Sequence, residues 1–145
     1  MTRDSSPDAG AGLSLGTSTP VPARRLLVVE DHEPALVAVS DYLVVKGFKV
    51  AVARNGAEAV ESCRHSLPEL VLMDVQMPLM DGLEATQKIR ELPGGRDVKI
   101  VAFTALAMQD DQTRCLAAGA DAYLSKPFRF SELLVLINRL LPTNV

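Results

Sequence analysis

Four short apolar runs in this sequence are each followed by a polar group of a specific kind. Glu30 and Asp31 follow Leu26–Val29, and Asp74 follows Leu70–Met73. Thr104 follows Val98–Phe103, and Lys126 stands just after Ala122–Leu124. If the first and third runs lie side by side, three carboxylates converge within a few ångströms. Like charges that close raise one another's pKa or demand a cation. An all-oxygen set with open positions suits Mg2+, which keeps several waters and takes few protein ligands. With that charge neutralised, one carboxylate can attack phosphorus and become an aspartyl phosphate. The oxygens of the new phosphoryl group then need a positive charge and a hydroxyl donor, which Lys126 and Thr104 can supply. Cation site, nucleophile, ammonium and hydroxyl together make a minimal phosphoryl-acceptor site.

Such a site needs a scaffold that gathers strand ends. From Arg24 onward two periodicities alternate. Leu26–Val29 is a continuous apolar run, as in a strand buried on both faces. Residues 34–46 follow helical spacing, with Leu36, Val39 and Leu43 on one side and Gly47 as the stop. A strand over Phe48–Ala53 and a helix over Gly56–His65 come next, then the strand ending at Asp74. Asp81-Gly82 reads as the turn that opens a helix over Leu83–Glu91. Val98–Phe103 is the fourth strand, and 107–118 a helix stopped by Gly119. After the short fifth strand, Ser131 caps a last helix that runs to about Leu141, where Pro142 ends it. Strands alternating with helices of this length predict right-handed βαβ units and one parallel sheet. Five units predict a doubly wound (βα)5 α/β domain and are too few for an eight-fold barrel. In such sheets ligands bind outside the carboxyl ends of the strands, where the strand order reverses. The charges of the second and third helices read as a solvated face. In the last helix Leu133, Leu134, Leu136, Ile137, Leu140 and Leu141 span roughly 160° of arc, with Val135 alone on the polar side. Val37 and Val44 fall off the buried stripe of the first helix, as scattered surface valines or as a docking patch.

Composition narrows the class further. The chain has 145 residues, 48% hydrophobic and 23% charged, which is a globular domain and not a disordered chain. A net charge of −3 argues against a nucleic-acid partner, because phosphate backbones call for clustered Lys and Arg. Cys63 and Cys115 form no CxxC pair, which excludes a disulfide framework and a thiolate zinc site. They read as free thiols in a reducing cytosol. His32 precedes Pro34 and reads as a solvated loop residue, His65 near a helix end fits the helix dipole, and neither belongs to HExxH. There is no apolar stretch of ~20 residues and no secretory signal at the N-terminus, so the domain is expected to be cytoplasmic with no membrane contact. Residues 1–23, rich in Ser, Thr, Gly, Pro and Ala, read as a flexible tail or linker ahead of a folded domain over 24–142.

The segments LLVVEDHE (26–33), VLMDVQMPLMDGLEATQKIR (71–90), IVAFTALA (100–107) and YLSKPF (123–128) resemble the receiver domains of two-component response regulators. The similarity covers residues 25–141. It implies a flavodoxin-like sheet of order 2-1-3-4-5. It implies that Asp74 accepts a phosphoryl group from a phosphohistidine donor, either a sensor histidine kinase or a histidine phosphotransfer domain. Asp31, Asp74 and the backbone carbonyl of Gln76 would bind Mg2+, with Glu30 acting through water where many members have Asp. Thr104 and Tyr123 would be the switch pair, Ala105 would leave room beside the phosphoryl group, and Lys126-Pro127 would form a cis peptide. The donor would dock over Pro34, Ala35, Ala38, Pro127 and Phe128. The face of helix 4, strand 5 and helix 5 would serve an output partner or self-association. Gln76 and Leu106, two residues after the acceptor and two after the threonine, offer attacking water no general base, which implies slow hydrolysis.

The chain so read turns over no external substrate; it catalyses only its own phosphorylation and dephosphorylation. With nothing after Val145, it is expected to be a free single-domain regulator or relay carrier, or the C-terminal receiver of a hybrid sensor kinase. A small Mg2+-dependent phosphatase with an aspartyl-phosphate intermediate is the rival enzyme. That class resembles a pattern with a second Asp two residues after the nucleophile, where this chain has Gln76. An interaction module that is never phosphorylated is the other rival.

Overall fold

The computed structural model describes residues 23–76, 81–105 and 109–142, with the backbone alone at 109–111. The tail read over 1–23 lies outside them except for Ala23, as does Leu106. The elements in chain order are β1 (Arg25–Val29), α1 (Glu33–Val45), β2 (Lys49–Ala53), α2 (Gly56–His65), β3 (Leu70–Asp74) and α3 (Gly82–Glu91). A single 3-10 turn (Gly95–Asp97) leads to β4 (Lys99–Thr104), α4 (Gln109–Ala117), β5 (Ala122–Ser125) and α5 (Phe130–Leu140). The five strands are parallel, in the order β2-β1-β3-β4-β5.

Alternation along the inner strands divides the core between two faces. Leu26 and Val28 of β1 join Leu72 of β3 against Leu36, Val39 and Leu43 of α1 and Leu133 and Ile137 of α5. Leu27, Val29, Val71 and Met73 face Ala59, Val60 and Cys63 of α2, Ala85 and Ile89 of α3, and Cys115 of α4. Helices on both faces explain why β1, β3 and β4 read as unbroken apolar runs. The edge strand β2 is different, with Lys49, Ala51 and Val52 exposed. Both cysteines are buried and free, and burial pushes the Cys63 thiol up to about 11. Among the described residues no helix is long and apolar enough to cross a membrane.

Two sequence expectations are corrected here. Ser131 does not cap the last helix. Arg129 is the N-cap residue, and the Glu132 carboxylate accepts its backbone N–H at 2.8 Å, so the helix starts two residues earlier. The charges of α3 are not all on a solvated face either. The Arg90 side chain is 16% exposed, and its guanidinium bonds the carbonyls of Gly119 (2.7 Å), Gly95 (2.7 Å) and Val98. It also pairs with Asp121 at 2.8 Å, whose carboxylate in turn accepts the Ile100 N–H. One cation thereby fastens the end of α3, the turn before β4 and the loop before β5. Five donors in a planar fork suit it to that work.

Asp81 does open α3, its carboxylate accepting the Glu84 N–H at 2.9 Å. Gly82 carries a constraint beyond the turn. A Cβ there would lie 2.3 Å from the Asp74 carbonyl oxygen and 2.9 Å from Cα of Val75. Both are backbone atoms and cannot swing aside. Gly82→Ala is therefore expected to lower stability by roughly 1–3 kcal/mol, the range for forced overpacking. Urea unfolding measures it, and an unchanged midpoint would contradict the close approach.

Candidate metal and phosphoryl-acceptor site

The register of β1 on β3 pairs Val29 with Met73, so Glu30 and Asp74 leave the sheet together at its carboxyl edge. Strand order reverses at this place, β1 leading on one side to β2 and β3 on the other to β4. Glu30 and Asp74 are 3% and 2% exposed, while Asp31 is open to solvent. One oxygen from each of the three carboxylates lies within 4.8 Å of the others. The Lys126 ammonium reaches Glu30 Oε1 at 3.0 Å and Asp74 Oδ2 at 3.3 Å. It stands 5.0 Å from the centroid of the Phe103 ring, a neighbour that strand patterning alone does not single out. The Lys126–Pro127 peptide bond is cis.

Burial and crowding shape the titration of this cluster. Burial pushes the Asp74 carboxyl up to about 6; a bond from the Gln76 backbone N–H opposes the rise, Glu30 adds to it, and Lys126 again opposes it. Burial would also raise Glu30. There the hydrogen bonds with Asp74, the His32 N–H and Lys126 win, and hold it below the ordinary carboxylate value. Burial works against the Lys126 ammonium, but the two acids outweigh it and raise its pKa. Burial and crowding thus push the two acids apart, Glu30 down and Asp74 up. An oxygen-only set of three carboxylates, two of them buried, fits a hard divalent ion such as Mg2+.

The remaining predicted residues fall on two sides of this centre. Thr104 is 1% exposed, and its hydroxyl donates to Gln76 Oε1 at 3.0 Å. That contact of the Gln76 side chain was not legible in the sequence. Tyr123 is half-buried and packs on the α2–α3–α4 side of the core. With Leu124, Glu132, Val135, Leu136 and Arg139 it lines a groove of about 400 Å³ between β5 and α5. A second groove, of about 480 Å³, opens from Glu30 and Lys126 along the start of α1. Ala35, Ala38, Pro127 and Phe128 line it, together with Ala105 and His32. Pro34 is exposed nearby but does not line it. His65 pairs with Glu61 at 3.0 Å on the far end of α2, away from the site.

Strand order and the acid cluster at the reversal point define a flavodoxin-like α/β domain with a cation site at its carboxyl edge. The chain belongs to the response regulator receiver domain family, whose model matches residues 26–138. It is 37% identical over 123 residues to the transcriptional regulatory protein PrrA of Mycobacterium tuberculosis, covering 85% of this chain. It spans only about half of that relative, 52% of its length. It is 36% identical over 112 residues to the polar-differentiation response regulator DivK of Brucella anthropi, covering 75% of this chain and 91% of DivK. Among solved structures it resembles the receiver domain of the sensor histidine kinase PA1611 from Pseudomonas aeruginosa PAO1. The TM-score is 0.78 at 35% identity, over 84% of this chain and all of that one, which holds a magnesium ion in its active-site cleft. This chain is therefore a receiver domain of two-component signalling.

Proposed function

We propose that Asp74 is the phosphoryl acceptor of this receiver and that Mg2+ is its cofactor. The observation that carries the reading is the meeting of Glu30, Asp31, Asp74 and Lys126 at one edge of the sheet. Asp31, Asp74 and the Gln76 carbonyl would hold the ion, with Glu30 acting through water. Bound there, Mg2+ would neutralise the acids and draw charge from the phosphoryl oxygens. An Asp74 carboxylate oxygen attacks phosphorus, the phosphorus–nitrogen bond of a phosphohistidine breaks, and the departing imidazole takes up a proton. Lys126 and Thr104 then hold the new phosphoryl oxygens by a charged and a neutral hydrogen bond. Thr104 and Tyr123 carry the change to the face of α4, β5 and α5, the surface for an output partner or a second copy. The domain spans 24–142, works in the cytoplasm, and acts on no substrate but its own acyl phosphate. Whether it acts alone or as the receiver of a longer regulator or hybrid kinase is read from full gene context. Intact mass after incubation with Mg2+ and a small acyl phosphate tests the acceptor.

The histidine donor must bring its phosphorus in line with Asp74, over the carboxyl edge. Beyond Glu30, His32 and Lys126 at its mouth, the groove beside α1 is lined by apolar residues such as Ala35, Ala38, Pro127 and Phe128, which favour close packing over charge steering. Ala38→Asp is expected to slow transfer from the protein donor about tenfold or more, the cost of a charge buried without a partner in a packed interface. Labelling by a small acyl phosphate should stay near the wild-type rate. Equal loss of both rates would show that Ala38 supports the fold and not the interface.

A further inference from the structure

Gln76 touches both the acceptor and the switch threonine. Its backbone N–H donates to Oδ1 of Asp74 at 3.0 Å, and its side-chain Oε1 accepts the Thr104 hydroxyl at 3.0 Å. Thr104 is 1% exposed and Gln76 is exposed, so the bond is partly buried. A threonine hydroxyl carries one proton. That proton can point at Gln76 or at a phosphoryl oxygen on Asp74, and a bond to one is made at the expense of the other. We infer that the Gln76 side chain is a latch: it holds the Thr104 hydroxyl in the unphosphorylated arrangement and sets how far the receiver equilibrium leans that way beforehand. This rests on the acceptor role of Asp74 proposed above. It makes Gln76 a positioning residue through its side chain, apart from the backbone carbonyl expected to face the cation.

A phosphoryl group shifts the equilibrium only by its differential affinity for the two arrangements. The bond given up at Gln76 subtracts from that difference. Removing the acceptor should therefore raise the switch-competent fraction and tighten apparent binding of a phosphoryl mimic by the same factor. A neutral, partly buried hydrogen bond supplies roughly three- to tenfold in such an equilibrium.

The test uses the full chain with methyl-labelled threonine, read by NMR, and beryllofluoride with Mg2+ as the mimic. Gln76→Leu keeps the backbone carbonyl and removes the acceptor, and Gln76→Met repeats the measurement with an unbranched side chain of similar length. The Thr104 methyl resonance of the free variant is expected to move from its wild-type position toward that of the saturated wild type. The half-saturating beryllofluoride concentration should fall roughly three- to tenfold. In a Thr104→Ala background the same substitution should leave half-saturation unchanged, because the latch has no hydroxyl to hold; a mere packing effect would persist there. Unchanged or higher half-saturation in both Gln76 variants, or an equal gain without the Thr104 hydroxyl, would overturn the latch alone. If the wild type shows no saturable response, the acceptor reading fails and the latch falls with it.

Discussion

Wild-type chain incubated with Mg2+ and a small acyl phosphate should gain one phosphoryl group, and Asp74→Asn should gain none. The expected difference in labelling is at least a hundredfold, since an amide oxygen at this position lacks the charge that makes the carboxylate a nucleophile. Omitting Mg2+ should suppress labelling of the wild type as well. Burial and the neighbouring Glu30 push the Asp74 carboxyl up to about 6, so without a strong cation a fraction is protonated near neutral pH. Most of it is still ionised, and beside Glu30 and Asp31 it repels an anionic donor until a cation neutralises the cluster. Intact mass with peptide mapping reads the result. Full-yield labelling of Asp74→Asn would move the acceptor elsewhere in the cluster.

Lys126→Ala should separate cation binding from the conformational response. Lys126 occupies oxygens of Glu30 and Asp74, at 3.0 and 3.3 Å. Removing its positive charge leaves the acids more negative, so Mg2+ affinity should hold or rise severalfold. The phosphoryl group, by contrast, loses its charged donor. A charge-assisted hydrogen bond contributes about 1.5–3 kcal/mol, so the phosphorylation-dependent response should fall to about a tenth or less. Cation titration and the beryllofluoride-induced shift of the Tyr123 ring resonances measure the two quantities. A normal response in the variant would remove Lys126 from the switch.

The residues of the site were legible because each follows an apolar run, and a parallel sheet puts all such ends on one edge. Glu30, Asp31, Asp74, Thr104 and Lys126 needed nothing more than that rule. The strand order was not legible in the same way. LLVV and LVLM carry no mark of their neighbours, since strands buried on both faces look alike from either side; the order came with the resemblance. Gly82 read as a turn residue because Asp-Gly commonly is one, whereas the approach to the Asp74 carbonyl depends on where α3 lands. Arg90 read as a solvated charge because helical periodicity registers only its own helix. Its Gly119 partner is 29 positions away. The Gln76 side chain escaped for the same reason, its partner Thr104 lying 28 positions on.

The Arg90 guanidinium has a mechanical consequence for α4. Its bonds to Gly119 and Asp121 pin the chain just beyond the C-terminal end of that helix, at the edge of the sheet opposite the acids. The nine residues of α4 make a rod about 13 Å long. A rod hinged at one end turns a small rotation into its greatest displacement at the other; a tilt of roughly 10° carries the tip about 2 Å over that length. The N-terminal end of the helix is the one that follows Thr104 in the chain. Thr104 and the Arg90 anchor thus lie at opposite edges of one sheet, with α4 running between them.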